Sequence, residues 1–217
     1  MAANSLHQSQ SPLLGGAPLA SAKAAIVLVH GRGGDAEGML DLGLVVADDS
    51  VALIALRATH NTWYPERFMA PLANNEPWLT SALQAVSDGI GQAIAAGVSR
   101  EHIMLLGFSQ GACLSLEFAA RNAVRYGAVA ALSGGLIGPD DTPRDYQGSL
   151  AGTPVFLGCS DIDGHIPVTR VRESATIMQS LGGVVDTRIY GGMGHEIIDD
   201  EVNAVRTLVG GLLASPR

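Results

Sequence analysis

Ser109 is the residue of this sequence best placed to act as a nucleophile. It is the centre of the segment GFSQG (residues 107–111), which has the pattern Gly-x-Ser-x-Gly. The pattern alone would arise by chance in roughly one in four chains of this composition, as short motifs do. Its position adds weight, because it follows the apolar run Ile103–Phe108 and precedes a helical pattern. A serine at such a strand-to-helix turn is typical of a nucleophile elbow.

A serine hydroxyl needs a general base, and His195 lies in the right part of the chain to supply it. In the chain order serine, acid, histidine, the base follows a late strand of the sheet. His195 stands in GGMGHE (residues 191–196), directly after the last predicted strand. His102 falls at the opposite edge of the sheet, and His30 is expected to hydrogen-bond the glycine-rich turn that follows it.

The acid that orients the histidine is expected in the loop after the preceding strand. That loop contains Asp161 and Asp163, and spacing alone does not separate them. Either carboxylate could hold the imidazole and stabilise its charged form. His165 is nearby, but the loop lacks the ligand spacing of a zinc site, so we expect a loop residue there and no metal.

Two main-chain amides are candidates for an oxyanion hole. One is the N–H of Gln110, the residue after the nucleophile, and the other is the N–H of Arg32 in the loop HGRGGD (residues 30–35). Removing one such donor typically costs about a hundred- to a thousandfold in rate. The Arg32 guanidinium is either a solvated group or a contact for an anionic substrate.

These residues must be positioned by an alternation of short apolar runs and longer helical patterns. Such alternation predicts a mostly parallel central sheet with helices on both faces, and chemistry at the carboxyl ends of the strands. The predicted strands are Ala25–Val29, Val51–Leu56, Ile103–Phe108, Val129–Leu132, Val155–Gly158 and Val185–Tyr190, the last of them near an edge. The predicted helices are Ala36–Ala47, Trp78–Ala96, Gln110–Asn122, Val168–Leu181 and Glu196–Leu213.

The segment Thr59–Glu76 interrupts this alternation and has no clear period. Its apolar side chains are expected either to form a wall against the substrate or to pack the loop onto the body of the protein. Only this segment and Gly134–Leu150 are long connections, so no large cap domain is expected. The candidate substrate-binding residues are Trp63, Tyr64, Phe68 and Met69.

Length and composition favour one soluble enzyme domain. Of 217 residues, 47% are hydrophobic. We expect one domain at 23–217, preceded by a loosely structured arm at residues 1–22 that contains at most one short edge strand. The net charge of −8 argues against nucleic acid or an anionic membrane as a partner. The chain has no signal-peptide pattern or apolar span, and Cys113 and Cys159 lie in apolar runs, which predicts a cytoplasmic protein. The sequence leaves a homodimer open.

The motifs HGRGG, GFSQG, an aspartate loop ending in Ile-Pro, and GMGHE together resemble the small carboxylesterase and phospholipase family of α/β-hydrolases. That family includes bacterial esterases and acyl-protein thioesterases, and the resemblance runs from about Ala24 to the C-terminus. It implies the α/β-hydrolase fold, with Asp163 as the acid, His195 as the base, and the amides of Arg32 and Gln110 as oxyanion donors. The form Arg-Gly-Gly is more like the bacterial members than the thioesterases.

The implied activity is that of a serine carboxylesterase that acts on small to medium acyl esters through an acyl-enzyme, without a cofactor. Acyl thioesterase and lysophospholipase activities are alternatives that use the same triad. Activity is expected to fall for acyl chains beyond about eight carbons, because only a modest lid is available.

Two other classes of function are compatible with parts of the sequence. The Gly31-Gly33-Ala36 turn follows a strand and fits a dinucleotide pattern, with Arg57 as a partner for a 2′-phosphate, which is typical of an NADP-binding oxidoreductase. That interpretation leaves Ser109 and His195 without a role. A catalytically silent member of the same fold, used only for binding, is the other alternative.

Overall fold

The computed structural model describes residues 6–214, and its centre is one sheet of seven strands. The strands are β1 (Leu13–Gly16), β2 (Ala24–Val29), β3 (Val51–Ala55), β4 (Ile103–Phe108), β5 (Ala128–Leu132), β6 (Pro154–Ser160) and β7 (Val184–Tyr190). Their order in the sheet is β1-β3-β2-β4-β5-β6-β7, and every neighbouring pair is parallel except the antiparallel pair β1 and β3. The strand directly before Ser109, β4, is therefore the middle strand of the sheet.

Five α-helices cover the two faces of this sheet. The apolar cores show that α2, α3 and α4 pack on one face, whereas α1 and α5 pack on the other. This arrangement confirms the predicted mostly parallel sheet between two layers of helices. The helices are α1 (Ala36–Val46), α2 (Trp78–Ala95), α3 (Gln110–Arg121), α4 (Val168–Ser180) and α5 (Asp199–Ala214).

The near-continuous apolar runs have a direct structural reason. Along β2, Ala25 and Val27 face the core under α2, α3 and α4, while Ile26 and Leu28 face the core under α1 and α5. All four side chains are fully buried, because successive side chains of a strand point to opposite faces and both faces are covered. β7, which was expected near an edge, is the last strand of the sheet and is only partly buried.

The N-terminal arm contains the one short edge strand allowed by the prediction, and its described part is held to the body of the protein. Its residues 6–22 include β1, which adds an antiparallel strand to the sheet edge, and a buried His7. The His7 ring accepts a hydrogen bond from the Thr59 N–H and donates one to the Trp63 carbonyl, so the arm is fixed to the loop beside the site. A single polar histidine in a Ser- and Gln-rich stretch gave no sign of this burial.

The last helix differs from its prediction, because it begins at Asp199 and not at Glu196. The residues before it form the irregular loop that carries His195, and the acidic side chains at the helix start suit the positive end of its dipole. Within residues 6–214, no group of elements stands apart from the sheet as a cap domain. No helix of this part of the chain is long and apolar enough to cross a bilayer.

Candidate active site

Ser109 occupies a strained turn between β4 and α3. Its φ and ψ are 53° and −118°, a conformation that side-chain-bearing residues rarely adopt. The turn is held because the Ser109 N–H donates to the Leu132 carbonyl at 2.9 Å. Close backbone packing requires glycine on both sides: a Cβ on Gly107 would lie 2.3 Å from the Gly111 carbonyl oxygen, and one on Gly111 would lie 2.1 Å from that of Val29.

The structure brings Ser109, His195 and Asp163 into one chain of hydrogen bonds. The Ser109 Oγ lies 2.8 Å from His195 Nε2, and His195 Nδ1 lies 2.7 Å from Asp163 Oδ2. These three residues come from the carboxyl ends of β4, β6 and β7, where parallel strands place chemistry. The geometry is that of a nucleophile, a base and an orienting acid.

The Asp163 carboxylate is buried and its two oxygens have separate roles. While Oδ2 accepts from His195, Oδ1 accepts from the main-chain N–H groups of His165 and Ile166 at 2.8 and 3.1 Å. Burial raises the pKa of Asp163, but the hydrogen bonds from His195 and the two amides outweigh it and hold this pKa below its ordinary value. Asp163 therefore stays ionised and able to fix the Nδ1–H tautomer of the histidine.

The other aspartate of this loop, Asp161, does not contact His195. Its Oδ1 accepts a hydrogen bond from the Gly192 N–H at 2.9 Å, in the loop that carries the histidine. The buried Ser160 hydroxyl, at the end of β6, bonds the Met193 carbonyl in that same loop. Neither hydrogen bond could be predicted from the sequence, because each joins residues about thirty positions apart on loops of irregular structure.

The loop between β2 and α1 lies against the nucleophile. A Cβ on Gly31 would come within 3.2 Å of the Ser109 Cβ. Within residues 6–214, no hydrogen bond occupies the main-chain N–H of Arg32 or of Gln110. His30 holds the turn as expected: its Nδ1 donates to the Gly31 carbonyl at 2.7 Å, and its Nε2 accepts from the Ala58 N–H at 3.1 Å.

The Gln110 side chain has a second role that the sequence did not reveal. It is buried, its Oε1 accepts from the Trp63 N–H at 3.0 Å, and its Nε2 donates to the Tyr64 carbonyl at 2.8 Å. The residue after the nucleophile therefore fixes the backbone of the long loop Thr59–Glu76. An apolar side chain of similar size would leave two buried main-chain groups without partners.

A cavity of about 340 Å³ opens over the nucleophile. Tyr64 and Phe68, two of the four candidate substrate-binding residues, line it together with Ser109 and His195. Trp63 does not line the cavity: its side chain is fully buried, and its Nε1 donates to the His30 carbonyl. Met69 packs against the core and is also not part of the lining.

Two of the residues that line the cavity, Cys113 and Tyr64, are fully buried. Burial raises the pKa of Cys113 to about 12 and raises that of Tyr64 well above its ordinary value. Neither group is therefore ionised near neutral pH, and Cys113 does not compete with Ser109 as a nucleophile. No oxygen or nitrogen atom of residues 6–214 is hydrogen-bonded to the Tyr64 hydroxyl.

The dinucleotide alternative loses its supporting residues in the structure. Gly31 packs on Ser109, and the Arg57 guanidinium pairs with Glu37 at 2.6 Å. The described residues 6–214 also contain no group of three histidine, cysteine or acidic side chains arranged to hold a metal ion.

A mostly parallel sheet with a strained serine after its central strand is the architecture of the α/β-hydrolases. Comparison with known families places the chain more narrowly: residues 17–211 match the model described as phospholipase/carboxylesterase. The chain belongs to this family of α/β-hydrolases.

Solved structures agree with this assignment. The phospholipase/carboxylesterase from Dyadobacter fermentans superposes with a TM-score of 0.89 at 42% identity, covering 92% of this chain and 96% of that one. Esterase PE8 is similar in fold, with a TM-score of 0.77 at 24% identity over 94% of this chain and 99% of that one.

The curated relatives are named thioesterases and carboxylesterases, which are carboxylic ester hydrolases. The acyl-protein thioesterase 1 of Saccharomyces cerevisiae is 27% identical over 62% of this chain and 60% of its own length. That of Gibberella zeae is 30% identical over 55% of this chain and 52% of its own length. The chain thus spans only about half to three-fifths of these two relatives.

Proposed function

We propose that this protein is a serine carboxylesterase that hydrolyses small to medium acyl esters through an acyl-enzyme intermediate. The observation that carries this proposal is the continuous hydrogen-bonded chain from Ser109 through His195 to Asp163. Each link joins the atoms that acyl transfer requires: hydroxyl to Nε2, and Nδ1 to a buried carboxylate.

In the first half of the reaction, His195 Nε2 takes the proton of the Ser109 hydroxyl as the oxygen attacks the ester carbonyl. The protonated imidazole, stabilised by the ionised Asp163, then donates that proton to the leaving alcohol. In the second half, the same nitrogen accepts a proton from water, which attacks the acyl-serine and releases the carboxylic acid.

The negative charge that develops on the carbonyl oxygen needs donors that are already in place. The main-chain N–H groups of Arg32 and Gln110 serve this purpose, since neither has a hydrogen-bond acceptor among residues 6–214 and both belong to backbone packed around Ser109. The start of α3 adds the positive end of its helix dipole.

The cavity supports the limit on substrate size. Its volume of about 340 Å³ suits a short acyl chain, and the buried Phe68 supplies an apolar surface. We expect activity to fall for acyl chains beyond about eight carbons, because a cavity of this volume holds only a short chain.

A series of p-nitrophenyl esters from acetate to palmitate, assayed beside Ser109→Ala, tests this proposal. Wild-type protein is expected to favour the short and medium esters, whereas Ser109→Ala loses activity toward all of them. Hydrolysis by Ser109→Ala at the wild-type rate would refute the mechanism. A rate that rises steadily to palmitate would refute the size limit alone.

Thioester hydrolysis is a second candidate, favoured by relatives that are named acyl-protein thioesterases. The same triad would attack a thioester carbonyl, and the thiol would leave in place of the alcohol. Butyryl thiocholine compared with butyryl choline, at equal concentration, separates the two. A kcat/KM at least about tenfold higher for the thioester would make it the preferred class.

A further inference from the structure

Two arginines, Arg32 and Arg67, line the cavity into which Ser109 opens. The Arg32 guanidinium is held in place because its two terminal nitrogens donate to the carbonyl oxygens of Pro65 and Glu66, at 2.6 and 2.5 Å. Both acceptors are neutral, so the positive charge is fixed without being cancelled. The other three of its five N–H groups have no acceptor among the residues that the structure describes.

The Arg67 guanidinium makes fewer contacts with other polar groups than that of Arg32. In the part of the chain that the structure describes, its guanidinium makes no hydrogen bond and no ion pair. Its backbone, by contrast, is fixed: the buried Asn75 side chain donates to the Arg67 carbonyl and accepts from the Glu66 N–H. The loop therefore presents a free guanidinium from a well-held backbone position.

The charge of this cavity is opposite to the charge of the protein. The chain as a whole carries −8, yet the lining contains two arginines and a single acidic residue, Glu66, together with His165 and His195. No carboxylate among residues 6–214 lies within ion-pair distance of either arginine. A cleft with an excess of one sign attracts ligands of the other sign.

We propose that the preferred esters of this enzyme carry a carboxylate besides the ester group, and that Arg32 and Arg67 bind it. This proposal rests on the proposed esterase function. A planar guanidinium matches a carboxylate with two parallel hydrogen bonds, so the pair selects this anion by geometry as well as by charge. The carboxylate lies either on the acyl part or on the alcohol part of the substrate.

Pairs of esters that differ only in charge test the proposal. On the acyl side, monomethyl glutarate is compared with methyl glutaramate, in which an uncharged amide replaces the carboxylate. On the alcohol side, 4-acetoxybenzoate is compared with 4-acetoxybenzamide. We expect kcat/KM to be about tenfold higher for the carboxylate in at least one pair, measured by pH-stat at low ionic strength. The pair that shows the preference identifies the side that the arginines bind.

Variants assign the preference to the cavity. In Arg67→Gln the ratio of carboxylate to amide ester is expected to fall to about threefold or less, and in Arg32→Gln/Arg67→Gln to about one. Arg100→Gln is the matched control, since it removes an exposed arginine just before the amino end of β4, whereas Ser109 follows the carboxyl end of that strand. The control is expected to keep the wild-type ratio.

Equal kcat/KM within both pairs, or a preference that survives in Arg32→Gln/Arg67→Gln, would overturn the proposal. A stronger preference for 4-acetoxyphenyl phosphate than for 4-acetoxybenzoate would overturn the choice of carboxylate as the anion. Hydrolysis of the amide-bearing esters by wild type but not by Ser109→Ala would at the same time uphold the esterase function, so the two failures are distinguishable.

Discussion

Ser109 and His195, the proposed nucleophile and base, are held in place by two different parts of the molecule, in two different ways. Ser109 stands at the centre of the sheet, where α3 is buried along nearly its whole length and backbone packs directly on backbone. His195 and Asp163 stand on loops at the edge of the sheet, beside the partly exposed β7. There, hydrogen bonds between side chains and backbone do the positioning.

The difference shows which demands each role makes. A strained serine backbone persists only if dense packing leaves it no alternative, so it belongs in the centre. In the proposed mechanism His195 moves protons between Ser109, the leaving group and water. Its side chain is about one-fifth exposed, whereas that of Asp163 is fully buried. Substitutions in the loops that hold His195 should therefore damage the chemistry, whereas substitutions in the backbone packing around Ser109 should damage the fold.

Asp163→Asn should give the largest effect and leave the fold intact. The amide presents an N–H to His195, which favours the wrong tautomer, so kcat is expected to fall by about 10⁴. The matched control is Asp161→Asn, because an asparagine oxygen can still accept from the Gly192 N–H. We expect that variant to keep its kcat within about tenfold of wild type. A greater loss of kcat at Asp161 than at Asp163 would reverse the assignment of the acid.

Gly111→Ala should damage the centre of the molecule. Its Cβ would lie 2.1 Å from the Val29 carbonyl oxygen, and neither backbone can yield. The expected loss is about 3 kcal/mol or more in the free energy of unfolding, measured by urea denaturation. Gly164→Ala, in the acid loop, is the control: its Cβ meets nothing within 4 Å, and its stability should be unchanged. Equal stability of the two variants would contradict the contrast between centre and edge.

A smaller effect on stability is expected at Glu201, a buried residue in the first turn of α5. Burial raises its pKa to about 7, and its Oε1 has no partner among residues 6–214. The Glu201 carboxyl ionises above about pH 4.5 in the unfolded chain but only near pH 7 in the folded protein. The stability that its protonated form contributes is therefore complete below about pH 4.5 and is lost as the pH rises to about 7. The free energy of unfolding of Glu201→Gln should therefore exceed that of wild type by about 1–3 kcal/mol at pH 8 and equal it at pH 4.

Thermal unfolding of Glu201→Gln and wild type between pH 4 and 8 measures this difference. Asp199→Asn, which changes an exposed acid at the start of the same helix, should show no such trend. A stability difference for Glu201→Gln that does not vary with pH would contradict the raised pKa.

The same contrast explains what could be predicted from the sequence. The sheet, its helices and the Ser109 turn follow from local patterns, because buried parallel strands are continuous apolar runs and the elbow needs glycine at fixed offsets. The hydrogen bonds that hold the His195 loop could not be predicted, since Ser160 and Asp161 lie about thirty residues away from that loop in the sequence. The buried roles of His7 and of the Gln110 side chain were hidden for the same reason: neither residue type signals its tertiary partner.

The central claim is that Ser109 becomes acylated, and trapping the intermediate tests it most directly. Wild-type protein is mixed with p-nitrophenyl acetate, quenched in acid within milliseconds, digested and analysed by mass spectrometry. Ser115→Ala is the control, because Ser115 is a buried serine of α3 whose hydroxyl has no partner among residues 6–214. The expected result is one acetyl group on the peptide that contains Ser109, in wild type and Ser115→Ala but not in Ser109→Ala. Ester hydrolysis by Ser109→Ala at the wild-type rate, or an acetyl group on another residue that forms and decays at the rate of turnover, would contradict it.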